Sequence, residues 1–338
     1  MSNQPPIEVP QGAIRLNTDS QKLEFYAQDR WYEMATDFPY LGDTNSSAGA
    51  RGVFMGMSVP TGDSQISYIT IPSGGDALDF GSRTISGMGA NISSRTRGLS
   101  AGDTAPAYVN TIDFITMSSK GSALDFGDRT NTAARSRGCS NQTRGIWAGG
   151  FIAPATPNVM DFVTIATTGD ALDFGDLLGN RENPSGNVNS PTRAIWSGGD
   201  TDGSGNYSEK IQYVTIASKG DAIEFGDLTS GVGIAAGLSS ATRGLIGGGI
   251  APSTTTQIEF ITIATLGNSA DFGDMTVSKY GRGSTTDCIR GVFVAGAPST
   301  VDTMDYVNIA TQGNAVDFGD YTHGCSLEGG CSTAHGGL

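Results

Sequence analysis

Six variants of one hexapeptide recur along the chain, ending with Ala315-Val316-Asp317-Phe318-Gly319-Asp320. They centre on Phe80, Phe126, Phe174, Phe225, Phe272 and Phe318, at intervals of 46 to 51 residues. A period in that range marks a propeller, a solenoid or another array of one supersecondary unit, because so short a unit cannot bury its apolar face alone. One full unit reads from Arg137 to Asp176. Gly138-Cys139-Ser140 is a short strand of small residues, Thr143-Arg144 a turn, and Gly145-Ile146-Trp147-Ala148-Gly149-Gly150 a second strand. After a Pro-containing loop of variable length, Val159-Met160-Asp161-Phe162-Val163-Thr164-Ile165 reads as a β-rich third strand and Ala171-Leu172-Asp173-Phe174-Gly175 as a fourth. Four antiparallel strands per unit are what a propeller blade requires, so an all-β, six-bladed fold is predicted.

The ends of the array decide its blade count. Past the last hexapeptide, Gly330-Cys331-Ser332 repeats an opening strand, whereas Asn45–Ala50 ahead of the first unit has no large apolar residue. The C-terminal segment is therefore expected to pair onto Gly52-Val53-Phe54 and close the ring. The alternative is seven blades, with Trp31–Phe38 supplying outer strands of a composite blade. Ahead of the array, Gly12–Asp19, Lys22–Tyr26 and Trp31–Met34 alternate and break like a three-stranded meander. The expected domains are a β-meander over 1–40 and a β-propeller over 41–338.

Bulk composition narrows the partners. The 34 acidic against 20 basic residues give a formal charge of −14, which repels phosphate backbones and anionic lipid, so neither nucleic acid nor membrane insertion is expected. The start, Met1–Pro6, has neither a basic region nor an apolar run, and no segment has the length to cross a bilayer, so synthesis as a soluble cytoplasmic protein is expected. The four cysteines, Cys139, Cys288, Cys325 and Cys331, form no CxxC pair and read as small buried fillers rather than as a Cys325–Cys331 bridge.

The order Gly12, Ile14-Arg15, Asn17-Thr18-Asp19, Leu23-Glu24-Phe25-Tyr26 and Trp31-Tyr32-Glu33 resembles the short N-terminal module of many tailed-phage virion and tail-fibre proteins. The double glycines Gly149-Gly150, Gly198-Gly199 and Gly247-Gly248 resemble kelch blades. Tyr213-Val214-Thr215-Ile216-Ala217 and Tyr306-Val307-Asn308-Ile309-Ala310, each followed by a hexapeptide, are similar to tandem repeats of marine cyanophage structural proteins. These resemblances imply a non-enzymatic virion structural protein, assembled in the host cytoplasm and attached to other virion proteins through the N-terminal module, as a homo-oligomer in the virion. Such a protein is either a tail-fibre or adhesin component facing host glycan or protein, or a scaffold or decoration protein touching only virion partners.

The candidate chemistry is sparse. Asp-Phe-Gly in five copies, with Glu224-Phe225-Gly226 as the sixth, and without a phosphate loop or an HRD segment, is structural rather than a kinase magnesium ligand. One arginine per unit (Arg51, Arg97, Arg144, Arg193, Arg243, Arg290) and one acid per hexapeptide (Asp79, Asp125, Asp173, Glu224, Asp271, Asp317) predict a ring of arginine–carboxylate pairs. Turn residues Asp76, Asp170 and Asp221, with the trailing Asp128, Asp176, Asp227, Asp274 and Asp320, lack the DxDxDG spacing of a calcium loop and read as solvated, so no metal or cofactor is expected. The two histidines, His323 and His335, cannot supply a copper site from several blades, and no catalytic motif occurs. What varies is the loop between second and third strands, and there Tyr108, Phe151, Asp202, Asn206 and Tyr207 carry the aromatic and Asn/Asp chemistry that suits a sugar.

Overall fold

The computed structural model describes residues 10–17, 22–28, 30–33, 51–57, 63–103, 108–298, 301–326 and 329–334. Every regular element among them is a strand, and the strands make one three-stranded and six four-stranded antiparallel sheets. The chain divides into two units, Met1–Asn45 and Ser46–Leu338, so the boundary falls five residues beyond the expected one.

In the first unit Ile14–Asn17, Lys22–Ala27 and Arg30–Glu33 pair in sequence order. Residues 30–33 are thus edge partners of 22–27 and not the outer strand of a composite blade, while 34–38 lie outside the described residues. Alternation puts Ile14, Leu16 and Phe25 on one face, exposed by 64%, 60% and 37%.

The six four-stranded sheets are numbered here in chain order. Sheet three is typical, with strands Arg137–Ser140, Arg144–Ala148, Val159–Thr164 and Leu172–Asp176. Its first hairpin turns at Asn141, whose Oδ1 accepts the N–H groups of Thr143 and Arg144 at 3.0 and 2.9 Å. In the hexapeptide Phe174 points inward and packs edge-on against Phe162, with ring centroids 5.7 Å apart. It also sits among Val214 and Ile216 of sheet four, so it fills the space between two sheets. Gly175 has φ 146°, and a Cβ there would stand 2.5 Å from the Gly220 carbonyl, so the close approach of the next sheet's turn demands glycine.

Hydrogen bonds across that approach join the sheets. Gly121, Gly169, Gly220, Gly267 and Gly313 donate their N–H to the carbonyls of Phe80, Phe126, Phe174, Phe225 and Phe272, and Gly75 of sheet one donates to Phe318 of sheet six at 3.0 Å. The acidic turns take part as well: Asp76, Asp170 and Asp221 accept the N–H groups of Asp320, Asp128 and Asp176 at 3.0–3.1 Å. They are intersheet acceptors as much as solvated turn residues. Inside, the opening strands touch through hydroxyl and amide bonds: Ser140 Oγ donates to the Ser93 carbonyl, Asn189 Nδ2 to Ser140 and Ser239 Oγ to Asn189, at 2.7–2.8 Å. Such spacing explains the small residues of this strand. The expected terminal pairing is present, with Cys331 opposite Val53 and Ser332 opposite Gly52 in sheet one. No disulfide joins the four cysteines; Cys139, Cys325 and Cys331 are buried and Cys288 is half-buried, and burial pushes the Cys325 and Cys331 thiols up to about 12.

The predicted arginine–carboxylate ring is corrected. Arg51, Arg97, Arg144, Arg193, Arg243 and Arg290 donate instead to carbonyls just past the third strand of the following sheet, Met117, Ile165, Ile216, Ile263, Ile309 and Pro72, at 2.6–3.1 Å. Each guanidinium also lies over the third-strand ring of its own sheet, as Arg144 lies 4.5 Å from the Phe162 centroid. Asp79, Asp125, Asp173, Asp271 and Asp317 are exposed, and Glu224 pairs with Lys210. In these fourth strands the two residues before the phenylalanine are both exposed and only the phenylalanine enters the joint between sheets, so the acid stays outside it.

Other residues make buried ion pairs. Arg83–Asp113, Arg129–Asp161 and Arg282–Asp305 are spaced 3.2, 3.0 and 2.7 Å, with every side chain at most 1% exposed. Each carboxylate stands at the same point of a third strand and meets a threonine hydroxyl from the preceding sheet, Thr84, Thr130 or Thr276. Charges buried at this depth are costly unless paired, which these arginines and acids are.

Candidate functional site

The connections that enter the opening strands converge on a cavity of about 280 Å³, lined by Met88, Arg135, Arg137, Glu182, Asn183, Asp200, Tyr207, Ile234, Tyr280, Gly281, Ala297 and Ser326. Its rim is a series of left-handed residues two positions before the opening strands. Arg135, Asn183 and Ile234 have φ of 56°, 48° and 58°, and Gly281 has 60°. The last three donate their N–H to the carbonyl of the preceding member of the series: Asn183 to Arg135 at 3.1 Å, Ile234 to Asn183 at 3.3 Å and Gly281 to Ile234 at 3.0 Å. A β-branched residue at positive φ is costly, so the packing around Ile234 must hold it there.

The wall carries charge and aromatic surface together. Arg135 pairs with Glu182, which is 6% exposed, and its guanidinium lies 5.5 Å from the Phe151 ring centroid. Tyr207 rests over Gly233, where a Cβ would meet the ring at 2.4 Å, so glycine is what lets the tyrosine lie flat there. Partial burial raises the Tyr207 phenol above its ordinary value, and the charges of Asp200 and Glu182 add to the shift. A neutral hydroxyl that both donates and accepts therefore faces the cavity.

Of the five residues expected from the sequence, three meet this region. Tyr207 lines the cavity, and Phe151 reaches it through Arg135, with Tyr108 edge-on to Phe151 at 6.1 Å. Asp202 and Asn206 instead sit on the exposed loop tip, where Asn206 Nδ2 donates to Asp202 Oδ2 at 2.5 Å, the main cause of that carboxyl's lowered pKa. Asp200-Thr201-Asp202-Gly203-Ser204-Gly205 departs from a calcium loop's spacing at Ser204. The Asp200 carboxylate accepts the loop N–H groups of Asp202, Gly203 and Gly205 at 2.7–3.1 Å and so holds the loop's shape. Among the described residues no group of three or more His, Cys, Asp or Glu is placed to hold a metal.

Arg135, Glu182, Asn183 and Tyr280 were missed. Their signal was in the repeat: Met88, Arg135, Asn183, Ile234 and Gly281 occupy one register position, and they differ where the flanking strands keep small residues. Comparison of the chain with protein-family models and with curated proteins gave no match.

Proposed function

We propose that the six four-stranded sheets are blades of a closed β-propeller, and that the chain is a non-enzymatic phage virion protein whose loop face contacts host-surface glycan. Two contacts between sheet six and sheet one, Gly75 on Phe318 and Arg290 on Pro72, support closure, as does the pairing of the C-terminal Cys331 strand with Val53 inside sheet one. The virion assignment rests on the resemblance of residues 12–33 and of the repeats to phage structural proteins. The glycan reading rests on the cavity, where Tyr207 and Tyr280 stand with Glu182, Asn183 and Asp200. Aromatic faces beside carboxylate and amide groups suit a ring that is apolar on one side and hydroxylated at its edge. On a glycan array the full chain is expected to retain a defined set of sugars, and Tyr207→Ala should weaken that binding at least about tenfold, roughly 1.4 kcal/mol. An array without retention, or an unchanged Tyr207→Ala, refutes the reading.

A second reading, a scaffold or decoration protein, is favoured by the outer strands. Leu78, Leu124, Leu172, Ile223 and Val316, one in each four-stranded sheet except the fifth, are 50–63% exposed. Both readings use the N-terminal meander as the attachment point, since its exposed Ile14, Leu16 and Phe25 need a covering partner. Deleting residues 1–40 should leave the melting temperature of the remaining unit unchanged while abolishing incorporation into virions; normal incorporation would count against the attachment role.

A further inference from the structure

The third strands place a polar side chain at one repeated point: Ser67, Asp113, Asp161, Gln212, Glu259 and Asp305. Four of these are carboxylates, and three of the four are paired with a guanidinium, Arg83, Arg129 or Arg282. Glu259 is the exception. It is 7% exposed and accepts from the Thr229 N–H at 3.1 Å and from the hydroxyls of Thr229 and Ser269, with no ion pair among the described residues. The two repeat positions that supply guanidinium groups elsewhere carry Leu228, in place of Arg83 and Arg129, and Ala235, in place of Arg282.

This joint also has unfilled space. A cavity of about 100 Å³ adjoins Glu259 and is lined by Ser230, Val232, Thr255 and Gln257 among others. That is well below the ~300 Å³ of pockets that take drug-sized ligands, and enough for one small ion. An ionised carboxylate this buried is costly without a counter-charge, and the same scaffold supplies one wherever else it buries an acid here.

We propose that the joint between sheets four and five binds a single monovalent cation of guanidinium or ammonium type, which stands on Glu259 where the other joints use arginine. The oxygens of Ser230, Thr255 and Gln257 give its remaining N–H groups acceptors, and Val232 and Ile246 form the apolar wall.

The test is thermal melting of the full chain in low millimolar guanidinium or ammonium chloride, against sodium and choline chloride at equal ionic strength. One of the two cations is expected to raise the melting temperature by several degrees in a saturable way, because a ligand bound only by the folded state stabilises by mass action. Glu259→Gln should abolish that rise. Leu228→Arg, which places a guanidinium where Arg83 and Arg129 have theirs, should melt higher than the parent without added cation and respond to neither salt. The proposal is overturned if neither cation stabilises the parent beyond the controls, or if Glu259→Gln or Leu228→Arg responds as the parent does.

Discussion

Truncation before residue 324 is expected to collapse the array, with a loss on the order of 5 kcal/mol and a melting temperature lower by more than about 10 °C. Cys331 and Ser332 form the opening strand of sheet one, and their bonds reach three sheets. The Thr285 hydroxyl of sheet six donates to the Cys331 carbonyl at 3.0 Å, and Ser332 Oγ donates back to Thr286 at 2.6 Å. On the other side Ser93 Oγ of sheet two donates to the Ser332 carbonyl at 2.9 Å, and Asn91 Nδ2 to Gly329 at 3.1 Å. Each such bond contributes about 1 kcal/mol, and losing the strand also bares the edge at Val53 to other chains. Calorimetry with light scattering checks this: melting within about 2 °C of the full chain, without aggregation, removes the terminal strand from any role in closure.

Asp161→Ala should cost about 3–5 kcal/mol, because it strands a guanidinium in the interior. Both Asp161 oxygens accept from Arg129 Nε at 3.2 Å, Arg129 Nη2 adds a bond at 3.0 Å, and the Thr130 N–H and hydroxyl complete the carboxylate at 3.0 Å each. Replacing both partners by apolar residues of similar volume, Arg129→Met with Asp161→Leu, should recover most of the loss, since the pair's net contribution is small beside the cost of breaking it. The exposed hexapeptide acid offers the contrast: Asp173→Ala is expected to stay within about 0.5 kcal/mol. Urea denaturation of the variants measures all three, and equal losses for Asp161→Ala and Asp173→Ala would contradict the assignment of the buried pairs.

The ion pairs show where legibility stops. Aligned on the hexapeptide, an arginine stands three residues after Phe80 and Phe126, and the acids Asp113 and Asp161 follow in the next unit. At the third joint the arginine becomes Leu177 and the acid becomes Gln212 together, which hints at the contact, but at the fourth Leu228 stands with the acid Glu259 and the pattern breaks. No such reading finds Arg282, which reaches Asp305 from the start of an opening strand instead. The regular Arg51-to-Arg290 series was visible too, yet its partners are backbone carbonyls, which no residue pattern can mark.

The sequence by itself determined the all-β character, the repeat, the four-strand unit and the segment that pairs with the first unit. These follow from short-range rules: alternation of side chains along a strand, turn residues at fixed offsets, and glycine where chains approach. Only the tertiary structure decided which charges meet, that Arg135, Asn183 and Ile234 turn left-handed around a common cavity, and that Glu259 is buried on hydroxyl and amide donors rather than on an arginine among the described residues. Those outcomes depend on how six similar sheets converge, where residues about fifty positions apart come within hydrogen-bond distance.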